Sequence, residues 1–342
     1  MQAAVSGVGL GADEAYQQYI LQGVSRTFAL TIPVLPHALS RVVSNAYLLC
    51  RIADTVEDEV SLSPNQKHQF SERFIGVLAG TMPAAEFANE LYPLLSQTTL
   101  ASERELVKNT PRIIRLTESF TKSQRDALRR CVRIMSRGMS EFQKIESSAG
   151  LEDMPQLDRY CYHVAGVVGE MLTELFCDHV DEVSGHRETL MRLAVSFGQG
   201  LQMTNILKDI WDDRGRGACW LPRSVFYGAG YDLSDMNAEH GDPAFAQGIL
   251  QLVTVARSHL GNALEYTLYF PAEEIGIRRF CLWALGMAVL TLRKISANPN
   301  FRTGNEVKIS RHSVKSAVLV TNLLTGNDTA LRLLFRWLTR GL

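Results

Sequence analysis

The chain has 342 residues, with 35 Lys and Arg against 36 Asp and Glu, a formal net charge of −1, and 46% hydrophobic residues. This composition excludes a disordered, collagenous or disulfide-stapled chain. So even a charge balance supplies no global field for nucleic acid, so no nucleic-acid partner is expected and any anionic ligand must be held at a local site.

The N-terminus, MQAAVSGVGLGADEAYQQY, lacks the basic region and long apolar run of a signal peptide, so residues 1–20 are read as a retained N-terminal extension. The six cysteines (Cys50, Cys131, Cys161, Cys177, Cys219, Cys281) are scattered without C-x-x-C or zinc spacing. They read as reduced core residues, which gives a cytoplasmic expectation. Apolar stretches such as 280–292 are shorter than the roughly 18 to 20 residues that span a bilayer, and no transmembrane helix is expected.

Eleven prolines leave proline-free tracts at 37–63, 112–154, 156–221, 244–270 and 272–298, with apolar residues at helical spacing. The chain therefore reads as all-α and, without repeats or Gly/Ser linkers, as one continuous domain over 21–328. Ser63, Pro64 and Gln66 predict a helix start, with proline in the first position. A second start is predicted at Ser123 with Asp126, followed by Leu128, Val132, Met135, Met139 and Phe142.

Two acidic constellations interrupt this apolar pattern. In Arg51-Ile-Ala-Asp54-Thr-Val-Glu57-Asp58-Glu59, helical steps of three and four bring Asp54, Glu57 and Asp58 together, with Arg51 one turn earlier. In Gln202-Met-Thr-Asn205-Ile-Leu-Lys208-Asp209-Ile-Trp-Asp212-Asp213, the spacing predicts a polar stripe of Gln202, Asn205, Asp209 and Asp213 among apolar neighbours. One D-x-x-x-D is ordinarily a solvated helix face. Two in apolar helices, about 155 residues apart, point instead to Mg²⁺, which binds one or two carboxylates together with substrate phosphates. The expected chemistry is a Mg²⁺-neutralised diphosphate leaving group, clamped from two sides, with a carbocation left in an apolar cavity.

The ordered blocks V-S-R-T-F at 24–28, D-T-V-E-D at 54–58, Y-C-Y-H-V-A-G-V-V-G at 160–169, the stretch 200–213, and V-K-I-S-R at 307–311 resemble the squalene/phytoene synthase family. The last block and D-T-V-E-D are most similar to those of squalene synthases. The resemblance implies a single-domain, all-α isoprenoid synthase fold with a central apolar cavity. It implies head-to-head condensation of two farnesyl diphosphates to presqualene diphosphate, then NADPH-dependent reduction to squalene. The alternative is a dehydrosqualene or phytoene synthase that omits reduction.

Position by position, the resemblance implies metal binding by Asp54, Glu57, Asp58, Asp209, Asp212 and Asp213. It implies diphosphate handling by Ser25, Arg26, Tyr47 and Arg51, with Gln202, Asn205 and Lys208 beside the second motif. Arginine suits that task because its guanidinium stays charged and forks onto phosphate oxygens. Tyr160 matches a tyrosine assigned to proton transfer or cation stabilisation, and Phe28, Val164, Val168 and Phe280 match channel walls. Lys308 and Arg311 match basic residues associated with NADPH, although on spacing alone they also fit a solvated turn. Lys208 stands where animal squalene synthases carry Arg, and Gly217-Ala-Cys-Trp-Leu-Pro222 replaces an Arg and a Tyr.

The last segment, 329–342, places Leu331, Leu334, Phe335 and Leu338 on one helix face and Arg332, Arg336 and Arg340 on another, beside Trp337. Either this apolar face packs on the domain, as most such faces do, or the tail makes peripheral contact with the inner face of a membrane. The expected state is a monomer.

Overall fold

Ser63 starts a helix as its sequence predicts: its hydroxyl accepts from the Gln66 N–H, the Gln66 side chain returns to the Ser63 N–H, and Pro64 occupies the first turn of Pro64–Ala79. The second predicted start falls two residues early. Thr121 and Gln124 form the capping box and the helix runs Lys122–Gln143, because T-x-x-Q satisfies the first free amides before Ser123 is reached. The computed structural model describes residues 2–25, 27–145, 147–237 and 241–342, with side chains from residue 9 onward. Among the described residues there is no strand, only an isolated parallel bridge between Leu151 and Pro222.

The chain groups into two compact units, one of residues 1–144 and 174–181, the other of 145–173 and 182–342. In the first unit, Leu48, Leu49, Ile52 and Val56 of the His37–Asp58 helix are buried, as are Phe70 and Phe74 of Pro64–Ala79 and Leu128 and Val132 of Lys122–Gln143. Asn45 sits inside this core at no cost in lost hydrogen bonds, donating to the Ile113 carbonyl (3.0 Å) and accepting from Thr117 (2.8 Å). The N-terminal helix, Gln2–Val24, belongs to the same body: Asp13 is buried against Arg112 and Arg115, and Ile20 and Leu21 are core residues. The expected boundary at 20/21 therefore falls inside a helix.

The second unit is built around Arg187–Gly215, against which pack Pro243–Leu268 and Ile275–Ala297. Ile275–Ala297 is long and apolar enough to cross a membrane by composition, yet 61% of its apolar window is buried within the protein, as in a core helix. Helix Met154–Cys161 runs into a π-helical turn, Tyr162–Gly166, before Val167–His179. Bare backbone lets this turn approach the 187–215 helix: a Cβ at Gly198 would lie 2.4 Å from the Ala165 carbonyl oxygen, and one at Gly169 would lie 2.4 Å from that of Ala194. The final helix, Asp328–Leu338, turns Leu331 inward until it is 3% exposed, and Phe335 reaches Gly261. The apolar face of the tail thus packs on its own unit.

Candidate functional site

The first unit gathers one polar face on the 37–58 helix. Tyr47, Arg51, Asp54 and Asp58 follow at steps of four, three and four, and their side chains remain at least partly exposed while Ile52, Ala53, Thr55 and Val56 are buried. The Tyr47 hydroxyl donates to the Val24 carbonyl at 3.2 Å, and its ring lies 4.9 Å from that of Phe28. Ser25 Oγ accepts from the Phe28 N–H at 3.0 Å. Five of the predicted residues, Ser25, Phe28, Tyr47, Arg51 and Asp54, therefore share one neighbourhood; Arg26 lies outside the described residues.

Glu57 and Asp58 occupy the last turn of that helix, where unpaired carbonyls make the backbone negative, and the turn carries no basic residue; Asp54 lies one turn before them on the same side. Burial and the neighbouring Asp58 push Asp54 up to about 7 against the opposing pull of Arg51, 3.7 Å away. Burial, Asp58 and Asp54 push Glu57 up to about 8. Glu57 is held in place by Gln143, whose side-chain amide donates to its carbonyl (3.0 Å) and its carboxylate (3.1 Å), and by Lys67 at its carbonyl. Carboxylates crowded at a helix C-terminus retain protons until a cation offsets them.

A consequence is a defined pH dependence. The folded chain holds protons on Asp54 and Glu57 that the unfolded chain releases near 3.8 and 4.5. Their contribution to stability is complete below those values and is lost as pH rises through about 7 to 8. Mg²⁺ competes with the same protons, so the rise in melting temperature on adding Mg²⁺ is expected to be larger at pH 8.5 than at pH 6. Differential scanning fluorimetry checks this; an equal or smaller rise at the higher pH contradicts it.

Two acidic residues beside this face escape sequence reasoning. Glu103 pairs with the Arg51 guanidinium from 52 residues away, and no motif announces it. Glu59, 2% exposed, accepts from Ser61 N (2.8 Å), Ser96 N (2.9 Å) and Thr99 Oγ1 (2.6 Å). Burial opposes ionisation here, but these hydrogen bonds prevail and hold Glu59 at about 2. Its contribution is present above the unfolded value of 4.5 and lost as pH falls toward 2. Glu59→Gln, measured by chemical denaturation at pH 7, is expected to cost about 1–3 kcal/mol. Glu59, Asp58 and Glu103 line a polar pocket of about 130 Å³, with Ser96, Thr98 and Thr99 opposite.

The second unit carries the other motif on the 187–215 helix, again near its C-terminal end. The predicted stripe is not uniform. Asn205 is exposed, Gln202 and Asp209 are half-buried, and Asp213 is 8% exposed, bonded to Arg216 at 2.5 Å. Burial raises Asp213 above the usual carboxylate range, Arg216 opposes, and Asp209 and Asp212 add to the rise. Lys208 bridges Asp209 (3.1 Å) and Asn205 Oδ1 (3.3 Å). Among the described residues no three His, Cys, Asp or Glu side chains converge as a ready metal cage. The donor set suits Mg²⁺, which keeps waters and takes further oxygens from a bound phosphate, better than zinc or calcium, which prefer protein-completed shells.

The same unit holds the remaining predicted residues. Tyr160 stacks on Trp220 with centroids 4.1 Å apart and rings 6° from parallel, an arrangement the departure at 217–222 gave no reason to expect. Val164 and Val168 are half-buried on and beside the π turn, and Phe280 is 7% exposed in the 275–297 helix. Single π turns concentrate at functional sites, and sequence periodicity does not reveal them. Lys308 follows the short helix Gly304–Val307 and Arg311 opens the next helix, Arg311–Leu324, and Gly304 fits beside the second motif. A Cβ there would lie 3.7 Å from Asp212 Oδ2 and 3.9 Å from Asp209 Oδ1. Trp211 fixes this edge by donating to the Phe301 carbonyl at 2.7 Å. Lys308 and Arg311 are exposed.

Comparison with known proteins gives concordant findings. The squalene/phytoene synthase family profile matches residues 21–313. The chain is 28% identical over 318 residues to a squalene synthase of Cyberlindnera jadinii, covering 90% of this chain and 67% of that protein. It is 30% identical to a squalene synthase of Solanum lycopersicum, covering 80% and 62%, and 28% identical to the Botryococcus squalene synthase of Botryococcus braunii, covering 83% and 58%. The chain therefore spans about 58 to 67% of the length of these relatives. Among solved structures, a ligand complex of TcSQS superposes with TM-score 0.74 at 23% identity, over 94% of this chain and 91% of that one. A dehydrosqualene synthase superposes with TM-score 0.66 at 18% identity, over 92% and 96%.

Proposed function

The chain belongs to the squalene/phytoene synthase family and has its all-α fold, and from that premise we propose that it is a squalene synthase, a transferase that joins two farnesyl diphosphates head to head. The observation that carries the reading is the placing of both acidic motifs: each sits near the C-terminal end of a helix, where the dipole opposes anions, and each contains a carboxylate raised by burial. Arg51 and Arg216 offset part of this cost, and a divalent cation would offset the rest.

Asp54, Glu57 and Asp58 in one unit, and Asp209, Asp212 and Asp213 in the other, would hold Mg²⁺. When bound, Mg²⁺ neutralises charge on a departing diphosphate. Arg51 presents a guanidinium, aimed by Glu103, to phosphate oxygens, and Tyr47 and Ser25 add hydroxyls on the same face. Gln202, Asn205 and Lys208 extend the polar surface beside the second motif. Tyr160 offers a π face, held flat by Trp220, to a developing cation, and Val164, Val168 and Phe280 of the same unit would exclude water from it, while Phe28 would serve as an apolar wall beside Tyr47 in the first unit.

Reduction by NADPH is assigned to Lys308 and Arg311. It is supported by the likeness to squalene synthases and by Gly304, four residues before Lys308, lying beside Asp209 and Asp212. Two exposed cations at that edge suit a nucleotide phosphate. The test is farnesyl diphosphate and Mg²⁺ with and without NADPH, followed by mass analysis of the hydrocarbon, for the parent and for Lys308→Ala/Arg311→Ala. The parent is expected to give squalene only with NADPH. The double variant is expected to need about ten-fold more NADPH for half-maximal reduction, with farnesyl diphosphate consumption little changed. Dehydrosqualene from the parent regardless of NADPH would remove the reductive assignment and leave the condensation.

A further inference from the structure

The chain leaves the 187–215 helix through a tight turn and runs back along the segment that leads into the helix of Tyr160. The Asp213 carbonyl accepts from the Ala218 N–H (3.0 Å) and the Arg214 carbonyl from the Gly217 N–H (3.0 Å), a Schellman turn in which Gly217 takes the left-handed backbone at φ +86°. Residues 218–224 then lie alongside 147–152. The Cys219 N–H donates to the Ser147 carbonyl (3.0 Å), the Leu151 N–H to Leu221 (2.9 Å), the Arg223 N–H to Leu151 (2.8 Å) and the Ser224 N–H to Glu152 (3.2 Å). Arg214 adds its guanidinium to the Ser148 carbonyl. Ala218, Cys219, Leu221 and Leu151 are all buried, so this strap is fixed along its length.

Trp220 stands between two pinned residues of the strap, seven residues beyond Asp213 of the second acidic motif. Its ring lies on Tyr160 with centroids 4.1 Å apart and planes 6° from parallel. Nothing fits between rings at that spacing, so a cation can meet Tyr160 only from the face opposite the indole. An aromatic face attracts a cation through its quadrupole. A second ring behind it adds polarisable density and holds the first in one orientation, so the ring need not reorganise as charge develops. The sequence shows the Trp220 segment only as a departure from the family; the strap explains how an indole at that position comes to serve Tyr160.

We propose that Trp220 is a positioning residue for carbocation stabilisation: it backs and fixes the Tyr160 ring, and so sets how strongly the site prefers a positively charged prenyl group to a neutral one of similar shape. The proposal rests on the cation-facing role of Tyr160 in the squalene synthase reading, and it assigns the indole no contact with substrate.

The test is equilibrium binding of two tritiated ligands, farnesyl dimethylammonium and the neutral farnesyl methyl ether, to the full chain with Mg²⁺ and inorganic diphosphate present. The parent is compared with Trp220→Leu and with Trp220→Phe, which keeps a flat ring in place, and melting temperatures establish that each variant is folded. The parent is expected to prefer the ammonium ligand. Trp220→Leu is expected to lower that preference about ten-fold, and Trp220→Phe to keep most of it. A merely structural role would weaken both ligands together and leave their ratio where it was. An unchanged ratio in Trp220→Leu therefore overturns the proposal, and so does a parent with no preference for the charged ligand. Failure of the reaction reading looks different: a parent that prefers the ammonium ligand, with the ratio falling in Trp220→Leu, but forms no presqualene diphosphate from farnesyl diphosphate would uphold the ring pair and remove the squalene synthase assignment.

Discussion

Asp54→Asn is expected to reduce Mg²⁺-dependent consumption of farnesyl diphosphate by on the order of 10³-fold while leaving the metal-free protein at pH 8 at least as stable as the parent. The two halves of this expectation come from one cause. Asp54 is half-buried one turn before the end of its helix, beside Asp58 and Glu103, and burial with those charges pushes it up to about 7 against Arg51. Above that pH the charge is a standing cost to the folded state. An amide of the same shape removes the charge and stabilises the metal-free fold by about 1 kcal/mol, discounted for partial solvent screening. It also removes a hard anionic oxygen that a divalent cation requires. Arg51 keeps its partner Glu103, so the guanidinium is not released. Thermal melts with and without Mg²⁺ alongside turnover separate this from damage to the fold. A variant that loses activity and stability together contradicts the account.

Gly198→Ala carries the largest expected structural effect. The added Cβ would lie 2.4, 2.6 and 2.8 Å from the carbonyl oxygen and carbon of Ala165 and the nitrogen of Gly166, all backbone atoms of the π turn. None can swing aside as a side-chain end would, so the 187–215 helix and the π turn must separate. The expected cost is about 3 kcal/mol or more, at the upper end of overpacking effects. Because the turn carries Val164 and continues the helix that carries Tyr160, turnover is expected to fall further than the loss of folded protein explains. Gly215→Ala on the same helix, where nothing lies within 4 Å, is the control and is expected to change stability by well under about 1 kcal/mol. Urea denaturation of both variants makes the comparison; equal midpoints would show that the helices are not held by bare backbone.

These two residues also show what the sequence discloses. Helical spacing locates Asp54 and its acidic neighbours, because a period of 3.6 residues is a local property that any apolar helix displays. Exposure is not local. The stripe from Gln202 to Asp213 has the predicted angular order, yet Asp213 is buried against Arg216 while Asn205 faces solvent. Local chemistry also fixes the Ser63 cap, and a competing T-x-x-Q displaces the Ser123 start to Thr121. Glu103, Gln143 and Trp220 join the candidate site through contacts 52 to 86 residues away in sequence, which no pattern around Arg51, Glu57 or Tyr160 encodes. The π turn is hidden for a related reason: one inserted residue leaves composition and apolar spacing almost unchanged.

The central claim is that both acidic sets serve one Mg²⁺-dependent condensation. Its most direct measurement is the stoichiometry of inorganic diphosphate released from farnesyl diphosphate without NADPH, for the parent, Asp54→Asn and Asp209→Asn. The account predicts one diphosphate per two farnesyl diphosphates consumed as presqualene diphosphate accumulates, with Mg²⁺ required and both variants nearly inactive. Release of one diphosphate per farnesyl diphosphate with only farnesol formed, or full condensation by either variant, would contradict it.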